Sequence, residues 1–183
     1  YIPKAAQERL AKERADRLKA IASGETLAII SASSDADMRA ALDLIESRKL
    51  KAAMVGPQQL APFIDRLKSL DVTVIAKPVA VADYNWYCQA LADASQAGVT
   101  VCFAGENAQQ LRLTAALATE SGMSPSAALS GLCFGLDGHV SNKRTSADFV
   151  IWSHSPLSLS AKPLCVMVDG KIVSTDLDQR GTD

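Results

Sequence analysis

Few side chains in this sequence can do metal, nucleophilic or acid–base chemistry, and those few are scattered. There are two histidines, His139 and His154. The first falls in a polar, Gly-containing stretch and the second in a Ser-rich turn. Both read as exposed side chains rather than as a metal-binding pair. Of the four cysteines, Cys88, Cys102, Cys133 and Cys165, no two have CxxC spacing, which argues against a zinc knuckle. Cys102 and Cys165 sit inside apolar runs, where a free thiol behaves as a small buried hydrophobe. Ser–His–Asp catalysis on an α/β scaffold needs a nucleophile elbow, and Gly-x-Ser-x-Gly is absent. Neither GxGxxG nor GxxxxGK[ST] occurs, so no phosphate loop is encoded. Ser31, Ser33, Gln58, Lys77, Glu106 and Asn107 each follow an apolar run. As a set they read either as helix caps and loop solvation or as a pocket for a small polar ligand. Lys77 and Glu106 have the chemistry of an acid–base pair, although nothing in their spacing forces them together.

The elements that must position these residues alternate along the chain. Residues 3–22, rich in Ala, Glu, Lys and Arg, predict a helix with a narrow stripe of Leu10, Leu18 and Ile21, ended by Ser23-Gly24. It suits a solvated helix at the domain edge, or a linker from a preceding domain. Four strand–helix units follow. The predicted strands are 26–31, 51–56, 72–79 and 99–105; the helices are 35–50, 57–71, 83–98 and 107–122, with a further helix over 124–136. Ser34 or Asp35, and then Ser124, are the expected N-caps, and Pro57 and Pro125 suit first helical turns. Consecutive βα units imply a parallel sheet with right-handed crossovers. Near-continuous apolar strands imply that both of its faces are covered. After Gly138 the texture changes. "ADFVIWS" and "PLCVMVDGKIVS" are β-rich, and the Asp-Gly pair in "VDGKIV" is a hairpin signal. The expected fold is therefore α/β: four consecutive βα units forming a parallel sheet, with a small C-terminal antiparallel β unit. Its expected divisions are an N-terminal helix or linker over 1–25, a βα domain over 26–138 and the β unit over 139–183.

Composition excludes several function classes. With 183 residues, 48% hydrophobic and 21% charged, the chain has the size and texture of one globular domain with its own core. A net charge of -1 and 5% aromatic residues give no basis for a nucleic-acid partner. No run approaches the roughly 20 apolar residues of a membrane helix. Scattered thiols lean towards a reducing, cytoplasmic setting. The chain begins at Tyr1 rather than Met, which suggests a processed product or a piece of a longer polypeptide; no address can be read from it.

One stretch says more than the rest. "SADFVIWSHSPLSLSAKPLCVMVDGKIV" (146–173) resembles the C-terminal segment of the amidohydrolase superfamily, in its imidazolonepropionase-like branch. Members there read Gly-Lys-Asp-Ala-Asp-Leu-Val-Val-Trp, then a short Asp-Pro-Leu loop, then Val-x-Val-x-Asp-Gly. This chain has Asp148-Phe149-Val150-Ile151-Trp152, Ser155-Pro156-Leu157 and Val166-Met167-Val168-Asp169-Gly170. Upstream, residues 27–56 resemble the fifth and sixth βα units of the family's TIM barrel, and residues 97–132 its last strand and helices, including a Gly-Met-Ser-Pro turn. The resemblance implies that the final strands return to a β-sandwich whose other half comes from the N-terminus of a full-length chain.

It also implies a chemistry that this sequence does not match. In the family, histidines on several strands and an Asp after the last strand hold zinc or a similar divalent metal, which activates water to attack an amide or imine carbon. The first half of the barrel, with its His-x-His pair, has no counterpart here. The fifth-strand histidine falls at Ser31, the sixth-strand one near Val55-Gly56, and the final Asp at Glu106. Glu106 keeps the charge on a side chain one methylene longer.

The leading expectation is a catalytically inactive amidohydrolase-like domain that binds no metal or cofactor. Its role would be structural, in a homo-oligomer or beside a covalently linked active amidohydrolase domain. A second is the C-terminal portion of a metal-dependent hydrolase of non-peptide C–N bonds, with ligands supplied from elsewhere. A third is a small-ligand-binding α/β module. The candidate site residues are Glu106 for any residual catalysis, and Ser31, Ser33, Lys77, Glu106 and Asn107 for binding; no metal ligands are expected.

Overall fold

The computed structural model describes residues 3–79, 84–133, 136 and 148–175. Helix α1 (Lys4–Ala22) precedes four βα units: β1 (Ala28–Ser31), α2 (Asp35–Arg48), β2 (Ala52–Val55), α3 (Ile64–Ser69), β3 (Thr73–Ala76), α4 (Tyr84–Gln96), β4 (Val101–Phe103) and α5 (Ala108–Glu120). Helix α6 (Pro125–Cys133) follows, then β5 (Phe149–Trp152), β6 (Pro163–Val168) and β7 (Lys171–Thr175). Strands β1–β4 form a parallel sheet in chain order, and β5–β7 an antiparallel one. The expected α/β architecture is therefore the observed one.

Local signals act where the sequence places them. Ser34 caps α2 in a reciprocal box: its hydroxyl accepts from the Asp37 amide at 3.2 Å, and the Asp37 carboxylate accepts from the Ser34 amide at 3.2 Å. The α2 residues Met38, Ala41, Leu42 and Ile45 are buried, at the spacing that puts them on one helix face. Ser124 caps α6 through the Ala127 amide. Asp169 and Gly170, with φ of 50° and 72°, make the tight turn between β6 and β7, where both central residues need positive φ.

One expectation at the element level needs correction. Pro57 does not open a helix. It is fully buried, and helical structure starts later, with a 3-10 turn at Ala61–Phe63 leading into α3. The second proline, Pro62, sits at the start of that turn, where a missing N–H costs nothing. Helix α1 is largely solvated. Leu10 and Leu18 are 51% and 57% exposed, and only Ile21 packs against the core.

The sheet buries both faces. On the helix side, Met54, Val74, Ala76, Val101 and Phe103 pack with Leu42, Leu67, Leu91 and Ala115. On the other side, Ala53, Ile75 and Cys102 form a second cluster with Leu27, Val55 and Leu136 packed against it. Ile29 and Ser31 on β1 are exposed. Helix α6 reaches β4 through Gly131, whose missing Cβ makes room for the Val101 carbonyl and the Phe103 ring.

Leu157 packs against the main core, and Arg112 ties the small β unit to the βα part. Arg112 on α5 donates from Nη1 to the carbonyls of Pro156 at 3.0 Å and Ser158 at 2.9 Å. Its guanidinium also lies 5.3 Å from the centre of the Trp152 ring, within cation–π range. The Trp and the Pro-Leu loop of the quoted stretch thus meet on one cation.

Candidate functional site

All the candidate residues lie at or just beyond the C-terminal ends of β1–β4, where parallel α/β sheets and barrels place their sites. The fold separates them by strand order. Ser31 ends β1 and Glu106 follows β4, on opposite edges of the sheet. With neighbouring strands about 4.8 Å apart, three steps along the sheet span roughly 14 Å. Among the described residues, no three of His, Cys, Asp and Glu lie together in a way that could hold a metal ion. At the ends of β1 and β2, Ser31 and Val55-Gly56 offer neither a nitrogen nor a carboxylate side chain to a divalent metal. His154 is exposed in the loop after β5, its Nδ1 2.8 Å from the Ser153 hydroxyl. His139 lies outside the described residues.

The remaining polar candidates have local roles in the structure. The Asn107 Oδ1 accepts from the amides of Gln109 at 2.9 Å and Gln110 at 3.2 Å, capping α5. Ser31, Ser33 and Glu106 are exposed. Lys77 and Glu106 follow adjacent strands, but no ion pair joins them among the described residues. Two of the buried thiols are poor nucleophiles. Burial pushes Cys88 and Cys102 up to about 11, so neither supplies thiolate at neutral pH.

Two of the polar residues do come together. Gln58 and Lys77 line a cleft of about 200 Å³ at the C-terminal ends of β2 and β3. Gly56 forms its floor at φ +69°; a Cβ there would come within 3.1 Å of Lys77 Cε. Glycine thus supplies both the left-handed turn and the space for the lysine stem. Pro78, Val79, Trp86 and Tyr87 complete the lining, the last two stacked edge to face with centroids 5.8 Å apart. The buried Tyr87 hydroxyl is pushed up to about 12 by desolvation, opposed by a hydrogen bond from the Lys77 backbone. It therefore stays a neutral phenol. Val79 is held by Thr114, whose hydroxyl accepts from its amide at 3.1 Å and donates to the Gln110 carbonyl at 2.8 Å. Sequence reasoning had Gln58 and Lys77 but missed the aromatic wall. Its signal was the Trp86-Tyr87 pair at the start of the helix that follows β3.

This arrangement of parallel βα units with a small antiparallel sheet matches a known one. A similar solved structure is the crystal structure of an amidohydrolase from Thermotoga maritima MSB8, with a TM-score of 0.69 at 16% identity over 86% of this chain and 45% of that one. The fold is amidohydrolase-like. The chain spans less than half the length of that amidohydrolase. No protein-family model matches the sequence. No curated protein matches it either.

Proposed function

We propose that this chain is a catalytically silent amidohydrolase-like domain that works by association, and that it is a degenerate relative of the imidazolonepropionase-like branch. The observation that carries the reading is the make-up of the strand ends. Ser31 stands on β1, Gly56 after β2 and Glu106 after β4, a set without a nitrogen ligand. The apolar surface of the β5–β7 sheet, with Phe149, Ile151, Ile172 and Val173 exposed, supports an interaction role. Its partner is a second copy of the chain or a linked amidohydrolase domain. Elemental analysis of protein purified without chelator tests the inactive reading, together with assays on lactam, imidazolone and dipeptide substrates. The expected result is neither metal nor turnover. Near-stoichiometric zinc, iron or manganese, or a turnover abolished by Glu106→Gln, overturns it.

A second reading is favoured by the 45% share of the Thermotoga amidohydrolase that the chain covers. On that reading this is one part of a metal-dependent hydrolase of C–N bonds, and the ligands come from a segment corresponding to the rest. Stoichiometric metal and hydrolysis in a longer polypeptide containing this chain, both lost on Glu106→Gln, distinguish it from the first.

A further inference from the structure

The cleft between the β2 and β3 ends combines features that a purely structural domain does not need. Lys77 makes no ion pair among the described residues, yet its stem lies against Gly56 and it lines a concavity. A lysine serving only for solubility gains nothing from a glycine floor shaped to its stem. Beside it, Gln58 brings an amide able to donate and accept. The same cleft has an apolar lining of Val79, Tyr87 and Trp86, and the Trp86 side of it remains 46% exposed. An aromatic this large left half open at the mouth of a concave surface is what a planar ligand stacks against.

We infer that this cleft binds a small organic carboxylate with a planar or apolar body. The carboxylate pairs with the Lys77 ammonium and accepts from the Gln58 amide, while the body lies against Trp86 and Tyr87. Size sets the scale of the ligand. A cleft of about 200 Å³ falls below the roughly 300–1,000 Å³ of sites for drug-sized molecules. Charge sets its sign: one unpaired cation, with the neutral Tyr87 phenol and Gln58 amide beside it, favours one negative group and disfavours a cation. The inference goes beyond an associative role and does not depend on it, since it requires neither metal nor partner.

Benzoate is a suitable probe, with benzamide as its uncharged counterpart of the same shape. Two-dimensional amide NMR of the full chain, titrated with each, reads both affinity and place. Benzoate is expected to shift the amides of Gly56, Gln58, Lys77 and Trp86 saturably. Benzamide is expected to bind about tenfold more weakly, the scale of a lost charge-assisted hydrogen bond. Lys77→Gln keeps most of the exposed stem and should weaken benzoate by about tenfold while leaving benzamide unchanged. Trp86→Ala should weaken both. Gln58→Leu provides a second, independent loss on the polar side. Absence of saturable shifts at millimolar benzoate overturns the inference. So do shifts centred elsewhere, or equal affinity of Lys77→Gln and the parent chain for benzoate.

Discussion

Arg112 joins the two sheets' surroundings through three contacts. One guanidinium nitrogen serves two backbone carbonyls, and the planar group also faces Trp152. Hydrogen bonds from a charged donor contribute about 1.5–3 kcal/mol. Arg112→Ala should therefore destabilise by about 2 kcal/mol in a denaturant titration, with faster amide exchange in β5 and β6. Arg112→Lys should recover only part of this, because a lysine lacks the planar fork. At the start of α2, Ser34 holds the Asp37 carboxyl below its usual value of 3.8 through hydrogen bonds from its hydroxyl and its amide. A depressed carboxylate stabilises the fold above its unfolded value, and that contribution is lost as the pH falls through the folded one. Ser34→Ala should move the Asp37 titration up towards 3.8, as followed by carboxyl carbon NMR. It should also cost the helix about 1 kcal/mol. The cysteines give a simpler measurement. Cys133 is exposed, and Cys88, Cys102 and Cys165 are buried. A thiol reagent should modify Cys133 in the native protein and the other three only after denaturation.

At the scale of elements, packing geometry decides more than propensity does. Gly131 lets α6 touch β4 so closely that any Cβ would collide with the Val101 carbonyl and press within 3.2 Å of the Phe103 ring. A backbone oxygen cannot swing away as a side chain can. Gly131→Ala should therefore destabilise by about 1–3 kcal/mol, despite the better helix propensity of alanine, and thermal unfolding would show it. The same distinction explains what the sequence made legible. The four βα units, the caps at Ser34 and Ser124 and the Asp169-Gly170 turn are local signals, and each sits where its chemistry put it. Pro57 was misleading because burial, not φ, sets its place: it packs into the core ahead of the helix. Leu10 and Leu18 are exposed: a helical stripe records a potential contact and not the surface that meets it. The cleft was half visible. Gln58 and Lys77 are polar residues after strands, but their juxtaposition with Trp86 and Tyr87 depends on the neighbouring positions of β2 and β3, which no local pattern encodes.

For the molecule as a whole, the open question is what its apolar surfaces meet. Strand β1 is one edge of the parallel sheet and exposes Ile29. The β5–β7 sheet exposes far more. Ile172 and Val173 are consecutive on its edge strand and 60% and 61% exposed. Because adjacent strand residues point to opposite faces, that edge strand is apolar and open on both sides among the described residues. Val150 and Ile151 repeat the pattern on β5, the other edge. Edge strands left unpaired invite pairing with another chain, and an isologous dimer, in which like patches meet, is the commonest way to cover such a surface. Light scattering over a concentration series should therefore show a dimer or larger species. A charge on the dominant patch should disperse it: Val173→Lys is expected to yield monomer, while Ile29→Lys on the parallel-sheet edge leaves the assembly intact. The reverse pattern would place the interface on β1. A parent protein that stays monomeric at the highest concentration reached would mean that the chain covers its own edges, and association as its role would fall with that result.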